Sequence, residues 1–139
     1  MPLMPKRVKY RKVQRRRNFR NATANTELAF GDYGLKALEA GYLTSQQIES
    51  ARTAVTRHLQ RRGKLWIKVF PDRPYTKKPL ETRQGKGKAP VAGWHAYIRP
   101  GNILLELGGG VNRTLAQGAF ARATNKLPIR CKFVSRESE

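Results

Sequence analysis

The residues of this chain with the clearest functional potential are cations that could bind phosphate, and they lie in a segment interrupted by prolines. They do not form a catalytic group. The segment 64–90 begins with the alternating pattern of a strand and ends in RQGKGK, residues 83–88. Glycines let the backbone approach a ligand closely and lysines add ammonium groups, so this tip predicts contact with phosphate. The predicted contact residues of the tip are Arg83, Gln84, Gly85, Lys86, Gly87 and Lys88.

The loop that contains this tip, residues 71–90, is positively charged along its length. Residues 71–90 carry six basic residues, including Lys77 and Lys78, against two acidic ones. The interrupting prolines, Pro71, Pro74 and Pro79, exclude a helix and predict that no strand ladder forms here. A loop of this length in a small domain is typically functional or disordered, and we interpret it as a protruding phosphate probe.

Catalytic chemistry has little support. His58 lies in an arginine-rich helical pattern and His95 in a strand pattern, and neither has a nucleophile or carboxylate at a motif spacing. The nine acidic residues are scattered without a cluster that could hold magnesium. The single cysteine, Cys131, excludes an internal disulfide and a thiolate metal cluster. The sequence therefore predicts no enzyme, no metal site and no cofactor.

Positive charge dominates the composition. The 139 residues carry a formal charge of +20 with a pI near 11.2, which would make a free compact protein repel itself. A polyanionic partner is therefore expected. No apolar run approaches the ~20 residues of a membrane-spanning helix and the N-terminus has no apolar signal core, so we predict nucleic acid rather than membrane, in the cytosol or an organelle.

The N-terminal residues 1–26 read as a basic arm. Nine cations precede the first acid, Glu27, and too few apolar residues are present to bury a face. Tyr10 could stack on a base or sugar. A solvated tail or a localisation signal is the alternative interpretation. The arm residues predicted to bind RNA are Lys6, Arg7, Lys9, Tyr10, Arg11, Lys12, Arg15, Arg16, Arg17 and Arg20.

A first helix has clear signals. Thr44 and Gln47 have the spacing of a capping box, and Gly63 is predicted to end the helix. Its apolar stripe consists of Ile48, Ala51, Val55 and Leu59. The arginines away from that stripe, predicted to contact phosphate although a solvated face is the alternative, are Arg52, Arg57, Arg61 and Arg62.

The remaining patterns predict strands around a second helix. Strands are expected at 27–31, 64–70 and 128–134, and a hairpin joins 91–99 to 102–107 through Pro100-Gly101. Asn112 is expected to cap the second helix. We predict an α+β domain over residues 27–134, with two helices on a mixed, mainly antiparallel sheet or open barrel, and a polar tail at 135–139.

The distribution of cations favours RNA over DNA. No recognition helix or dimer seam is evident, whereas cations occur on an arm, a loop, a helix face and strand edges. That arrangement is typical of a protein embedded in folded RNA. A free basic DNA-binding protein of the nucleoid type is the alternative, and a small RNA-processing enzyme is a third class.

Five blocks of sequence resemble the bacterial type of the large-subunit ribosomal protein sixteen family. They occur in order along nearly the whole chain, and the longest is WIKVFPDRPYTKKPLETRQGKGK, residues 66–88. The other blocks are Met4–Lys12, Phe30–Ala37, Leu43–Glu49 and Lys126–Val134.

The resemblance implies an RNA-bound α+β domain in the large ribosomal subunit, in contact with its ribosomal RNA and neighbouring ribosomal proteins. It also implies a role late in subunit assembly and a loop tip that reaches the A-site transfer RNA, with P-site transfer RNA as the second candidate. Arg83 matches an arginine that some bacterial members hydroxylate. Gln84 replaces the usual methionine and Ala89-Pro90 stands where a glycine is common, which bears on the reach of the tip.

Overall fold

The computed structural model describes residues 4–10, 12, 20–77 and 91–136. Two helices and seven strands are found in these ranges. In chain order they are β1 (Tyr33–Ala37), β2 (Gly41–Thr44), α1 (Ser45–Leu59), β3 (Lys64–Ile67), β4 (Arg73–Thr76), β5 (Val91–Ile98), β6 (Ile103–Gly108), α2 (Arg113–Thr124) and β7 (Cys131–Ser135).

The strands form two antiparallel sheets. One has four strands in the order β3-β6-β1-β7, and the other has three in the order β2-β5-β4. The helices pack on each other, and the core between them and the four-stranded sheet includes Phe120, Leu35 and Leu107. The predicted α+β class is confirmed, and among the described residues the sheets do not close into a barrel.

Helix α1 begins as predicted and ends earlier than predicted. The Thr44 side chain accepts from the Gln47 amide at 3.2 Å, and Gln47 Oε1 accepts from the Thr44 amide at 3.0 Å. All four residues of the predicted stripe are buried. The prediction that Gly63 ends the helix is wrong, because Gln60 is the C-cap in the left-handed region at φ 53°. Its amide and that of Arg61 donate to the last carbonyl groups, so the helix is closed before Gly63.

The predicted hairpin is wrong, although its turn is present. Asn102 donates to the Arg99 carbonyl at 3.1 Å and Gly101 has φ 99°, as a type II turn requires. The two flanking strands nevertheless enter different sheets, since β5 pairs with β2 and β4 whereas β6 pairs with β1 and β3. The chain therefore uses this turn to cross from one sheet to the other.

The prediction that the prolines after residue 70 prevent a strand ladder is wrong, because Pro74 itself lies in a strand. It lies in β4 opposite Trp94 of β5. Strand β4 is at the edge of its sheet, where a residue without an amide proton is tolerated. Thr76 pairs with Val91, so the sheet holds side by side the two residues that flank the segment 77–90.

The second helix and the last strand follow the sequence pattern. Asn112 Oδ1 accepts from the Leu115 amide at 2.8 Å, and Ala116, Ala119, Phe120 and Ala123 are buried. The last strand begins at Cys131 rather than 128. Ile129, before the strand, is buried as predicted.

The predicted strand at 27–31 is wrong, because its amides bond to a side chain. Glu106 of β6 is fully buried, and its Oε1 accepts from the amides of Ala29, Phe30 and Gly31 at 2.6, 3.1 and 3.4 Å. Its Oε2 lies 3.6 Å from the Lys68 ammonium. The segment 20–32 thus crosses the outer face of the four-stranded sheet and buries both faces of β6.

The division between arm and domain at residue 26 stays a prediction. On the arm side of it, Ala22 donates to the Pro100 carbonyl at 2.9 Å, and the Asn25 carbonyl accepts from Ile103 at 2.8 Å.

Removing the Glu106 carboxylate is expected to destabilise the domain strongly. Glu106→Ala leaves the amides of the segment 29–31 and a half-buried ammonium without their partner, which costs about 3–5 kcal/mol. Glu106→Gln retains an oxygen acceptor and should lose less. Urea denaturation measures both, with Leu38→Ala on the surface as the control, expected within about 0.5 kcal/mol of the parent. Equal losses for the alanine and glutamine variants would contradict this account.

Candidate nucleic-acid interface

Exposed cations lie on the last turn of α1 and in the residues that follow it. Because the apolar stripe faces the core, Arg57 is exposed on the helix, and Arg61 and Arg62 are exposed after it. The left-handed residue Arg61, at φ 64°, turns the chain away from the helix axis. Three of the predicted phosphate contacts therefore lie at one end of α1, where cations also offset the negative end of the helix dipole.

A groove of about 830 Å³ runs between α1 and the last turn of α2. Its cationic lining comprises Arg57, Arg122 and Lys126. Arg122 and Lys126 were not predicted as contacts, because only the packing of the two helices brings them next to α1. Their positions in and after the last turn of α2 were the available signal.

Arg52 differs from the other arginines of α1. Its guanidinium forms a two-pronged ion pair with the Glu49 carboxylate, with Nε 3.1 Å from each oxygen. The hydrogen bond from Arg52 lowers the pKa of Glu49 below its usual value, and the same bond raises the pKa of Arg52. The charge of Arg52 is thus partly compensated within the protein.

The arm presents its predicted contacts to solvent where it is described. Lys6, Arg7, Lys9 and Tyr10 are exposed, and the Lys9 ammonium lies 5.6 Å from the Tyr10 ring centroid. Lys12 is half-buried and Arg20 is exposed, and both make contacts within the chain. The predicted contacts Arg11, Arg15, Arg16 and Arg17 lie outside the described residues.

The central loop is described only at its base. Lys77 is exposed directly after β4. Because Thr76 and Val91, which flank the segment 77–90, are paired in the sheet, any contact made by the segment is tethered to a fixed base. Lys78 and the tip residues Arg83, Gln84, Gly85, Lys86, Gly87 and Lys88 lie outside the described residues.

One face of the three-stranded sheet is aromatic. The His95 ring lies 4.3 Å from the Tyr42 ring and 5.2 Å from the Tyr75 ring, nearly parallel to the latter. The Arg73 guanidinium lies 5.9 Å from the Tyr97 ring centroid. These rings pack together across the three strands β2, β5 and β4. His95 is therefore placed for packing between two tyrosines.

The described residues give no support for metal or nucleophilic chemistry. Among them, no group of three or more His, Cys, Asp or Glu side chains could hold a metal ion. His58 packs against α2, since a Cβ on Gly118 would lie 2.7 Å from its Nε2. Burial, assisted by the negative charge of Glu39, raises the pKa of the Cys131 thiol to about 11. At neutral pH this thiol is therefore protonated and a poor nucleophile.

Helices long and apolar enough to cross a membrane are not found in the part of the chain that the structure describes.

An α+β domain with cations on an arm, a helix end and a loop base is typical of a structural nucleic-acid-binding protein. A model of the family described as ribosomal protein L16p/L10e matches residues 5–134. The chain belongs to this family, which confirms the resemblance of the sequence blocks. The protein is therefore an RNA-binding structural constituent of the large ribosomal subunit, and it acts in translation as part of a ribonucleoprotein.

The arginines of α1 are expected to contribute unequally to RNA binding. Arg57→Gln should lower the slope of log affinity against log salt by about 0.7–0.9, the value for one neutralised phosphate. Arg52→Gln should lower it less, because Glu49 already compensates that charge. Glu49→Gln should strengthen binding by releasing Arg52. Filter binding to a large-subunit ribosomal RNA fragment over a salt series measures all three, and equal slopes for the two arginine variants would contradict the ranking.

The Cys131 thiol is expected to react slowly in the folded protein at neutral pH. In the unfolded chain it ionises near pH 9, and in the folded protein near pH 11, so the unfolded state loses this proton first as the pH rises. The contribution of Cys131 to stability is therefore complete below pH 9 and is lost toward pH 11. The reaction rate of the thiol is measured by labelling with a thiol-specific disulfide reagent, in the native protein and in urea, with Cys131→Ala as the blank. Equal rates in both states at neutral pH would disprove it.

Proposed function

We propose that the protein holds converging segments of large-subunit ribosomal RNA through its arm and α1 surface, and that its central loop contacts the A-site transfer RNA. The observation that carries the proposal is the placement of exposed cations on several separate elements of the fold. Among the described ion pairs, Glu106 is buried under the segment 20–32, and Glu49 is paired on its own helix. The exposed cations lie on the arm, the end of α1 and the base of the loop.

Cations on separate elements suit several RNA segments better than one duplex. A double helix would be met by a single continuous stripe, whereas the arm and the α1–α2 groove belong to different parts of the fold. Each phosphate neutralised contributes to the salt slope, so affinity should fall steeply as salt rises. The protein supplies no reaction of its own in this proposal. It offsets phosphate repulsion where RNA segments meet.

The loop supports a different contact. Its base is anchored by the pairing of Thr76 with Val91 and carries the exposed Lys77. The tip, residues 83–88, contains three cations, Arg83, Lys86 and Lys88, and the glycines Gly85 and Gly87, a composition suited to phosphate. A tethered tip of this composition can reach a mobile RNA while the arm stays on the ribosomal RNA.

Arm and loop variants should separate assembly from transfer-RNA binding. Replacing Lys6, Arg7 and Lys9 together with Gln should lower incorporation into the large subunit and reduce the salt slope by about 2–3. Replacing Arg83 and Lys86 with Gln should leave incorporation near normal and weaken A-site transfer-RNA binding. Sedimentation of large subunits and filter binding of transfer RNA to purified ribosomes measure the two effects.

Lys132→Gln is the matched control, because Lys132 is an exposed cation outside the proposed contacts. It should affect neither assay appreciably. Equal effects of the arm and loop variants on both assays would overturn the division of labour. Co-sedimentation with DNA instead of the large subunit after a moderate salt wash would overturn the proposal as a whole.

A further inference from the structure

Phe30 is an exposed aromatic side chain on a rigidly held piece of backbone. Its side chain is 60% exposed. Its amide and those of its two neighbours donate to the buried Glu106 carboxylate. On the opposite side of the chain, the Arg136 guanidinium donates to the carbonyl groups of Ala29 and Gly31 at 3.0 and 2.9 Å. The backbone on both sides of Phe30 is thus fixed, and the ring is presented outward at a defined place.

Gly31 is required for this arrangement. A Cβ at that position would lie 2.7 Å from the Leu107 carbonyl oxygen, so the chain approaches β6 more closely than any side chain would allow. The exposure of the Phe30 ring is therefore a consequence of buried contacts rather than of a loose loop.

Phe30 and a neighbouring ring are flanked by two ammonium groups. The Trp66 ring is stacked at a centroid distance of 6.0 Å and an interplanar angle of 21°. The Lys68 ammonium lies 4.4 Å from the Phe30 centroid, and that of Lys64 lies 5.2 Å from the Trp66 ring. A row of this kind is suited to single-stranded nucleic acid, because bases stack on the rings and cations follow the backbone.

A polar cleft of about 690 Å³ opens beside the ring. Its lining residues carry hydroxyl, amide, carboxylate and ammonium groups, the partners that ribose hydroxyls and base edges need. They are Thr23, Asn25, Thr26, Glu27, Ala29 and Lys68. Lys68 lines the cleft and also contacts the Phe30 ring, so the cleft and the stacking surface are continuous.

We propose that Phe30, backed by Trp66, stacks an unpaired nucleotide of the ribosomal RNA whose ribose faces the polar cleft. This site rests on the proposed RNA-binding function and adds to it a single-stranded contact on the outer face of the four-stranded sheet. Lys64, which is exposed, neutralises the adjoining phosphate. Lys68, which is paired with Glu106, positions the Phe30 ring.

The test compares Phe30→Ala with Phe70→Ala in the full-length protein. Phe70 is also an exposed phenylalanine, at 49%, and no ring contact of it is found among the described residues. The probe is a short single-stranded oligoadenylate, titrated over a salt series. Phe30→Ala should weaken binding about fivefold to a hundredfold, the range for one stacked base, without changing the salt slope, because no phosphate contact is removed. Phe70→Ala should change affinity less than about twofold, and Phe30→Trp should retain it.

Other outcomes separate this site from the proposed function. If Phe30→Ala binds the oligonucleotide as tightly as the parent while both variants still enter the large subunit, the stacking site is wrong and the proposed function stands. If Phe30→Ala reduces incorporation into the subunit with unchanged affinity for free RNA, the ring packs on a neighbouring protein, and the site is likewise wrong. Failure of the unmodified protein to bind any RNA would instead overturn the proposed function.

Discussion

The buried carboxylate of Glu106 is the interaction on which the outer side of the four-stranded sheet depends. A charge without partners at this depth would cost several kcal/mol, and here three amides and the Lys68 ammonium surround it. The segment that supplies those amides is consequently fixed to β6 by a side chain and a few backbone hydrogen bonds, rather than by a strand ladder. Both faces of β6 become interior, and the Ala22 amide attaches the preceding chain to the Pro100 carbonyl group.

Part of the negative charge is compensated within the protein. The described glutamates that form ion pairs are committed to the protein itself: Glu106 inside, Glu49 to Arg52 and Glu39 to Arg130. Many of the cations face outward from separate elements, where their mutual repulsion opposes the compact state. RNA offsets that repulsion. A protein of the large ribosomal subunit can therefore tolerate a charge of +20 that would be unfavourable in a free domain.

Local signals predicted the helices well, whereas strand pairing depended on distant residues. The capping box at Thr44 and the stripe of α1 are contained within one segment, so periodicity was sufficient. The turn at Gly101 was equally local, but the partners of β5 and β6 lie elsewhere in the chain, and proximity wrongly suggested a hairpin. The residues 27–31 have strand composition, yet their amides bond to a carboxylate 75–77 positions away, which periodicity does not reveal.

The candidate site likewise contains residues that the sequence could predict and residues that only tertiary packing brings together. Net charge indicated which residue types to expect at an RNA interface, and the Glu49–Arg52 spacing already contained the reason to rank Arg52 below Arg57. Arg122 and Lys126 could not be found from sequence, because their relation to α1 arises when the helices pack. Phe30 could not be predicted as a site from the sequence, for a further reason. An exposed ring is recognised as a site only once the buried groups beneath it are known, and those groups come from β6 and the chain after β7. Surfaces that bind folded RNA from several sides are therefore products of tertiary packing, even when their charge is evident from composition.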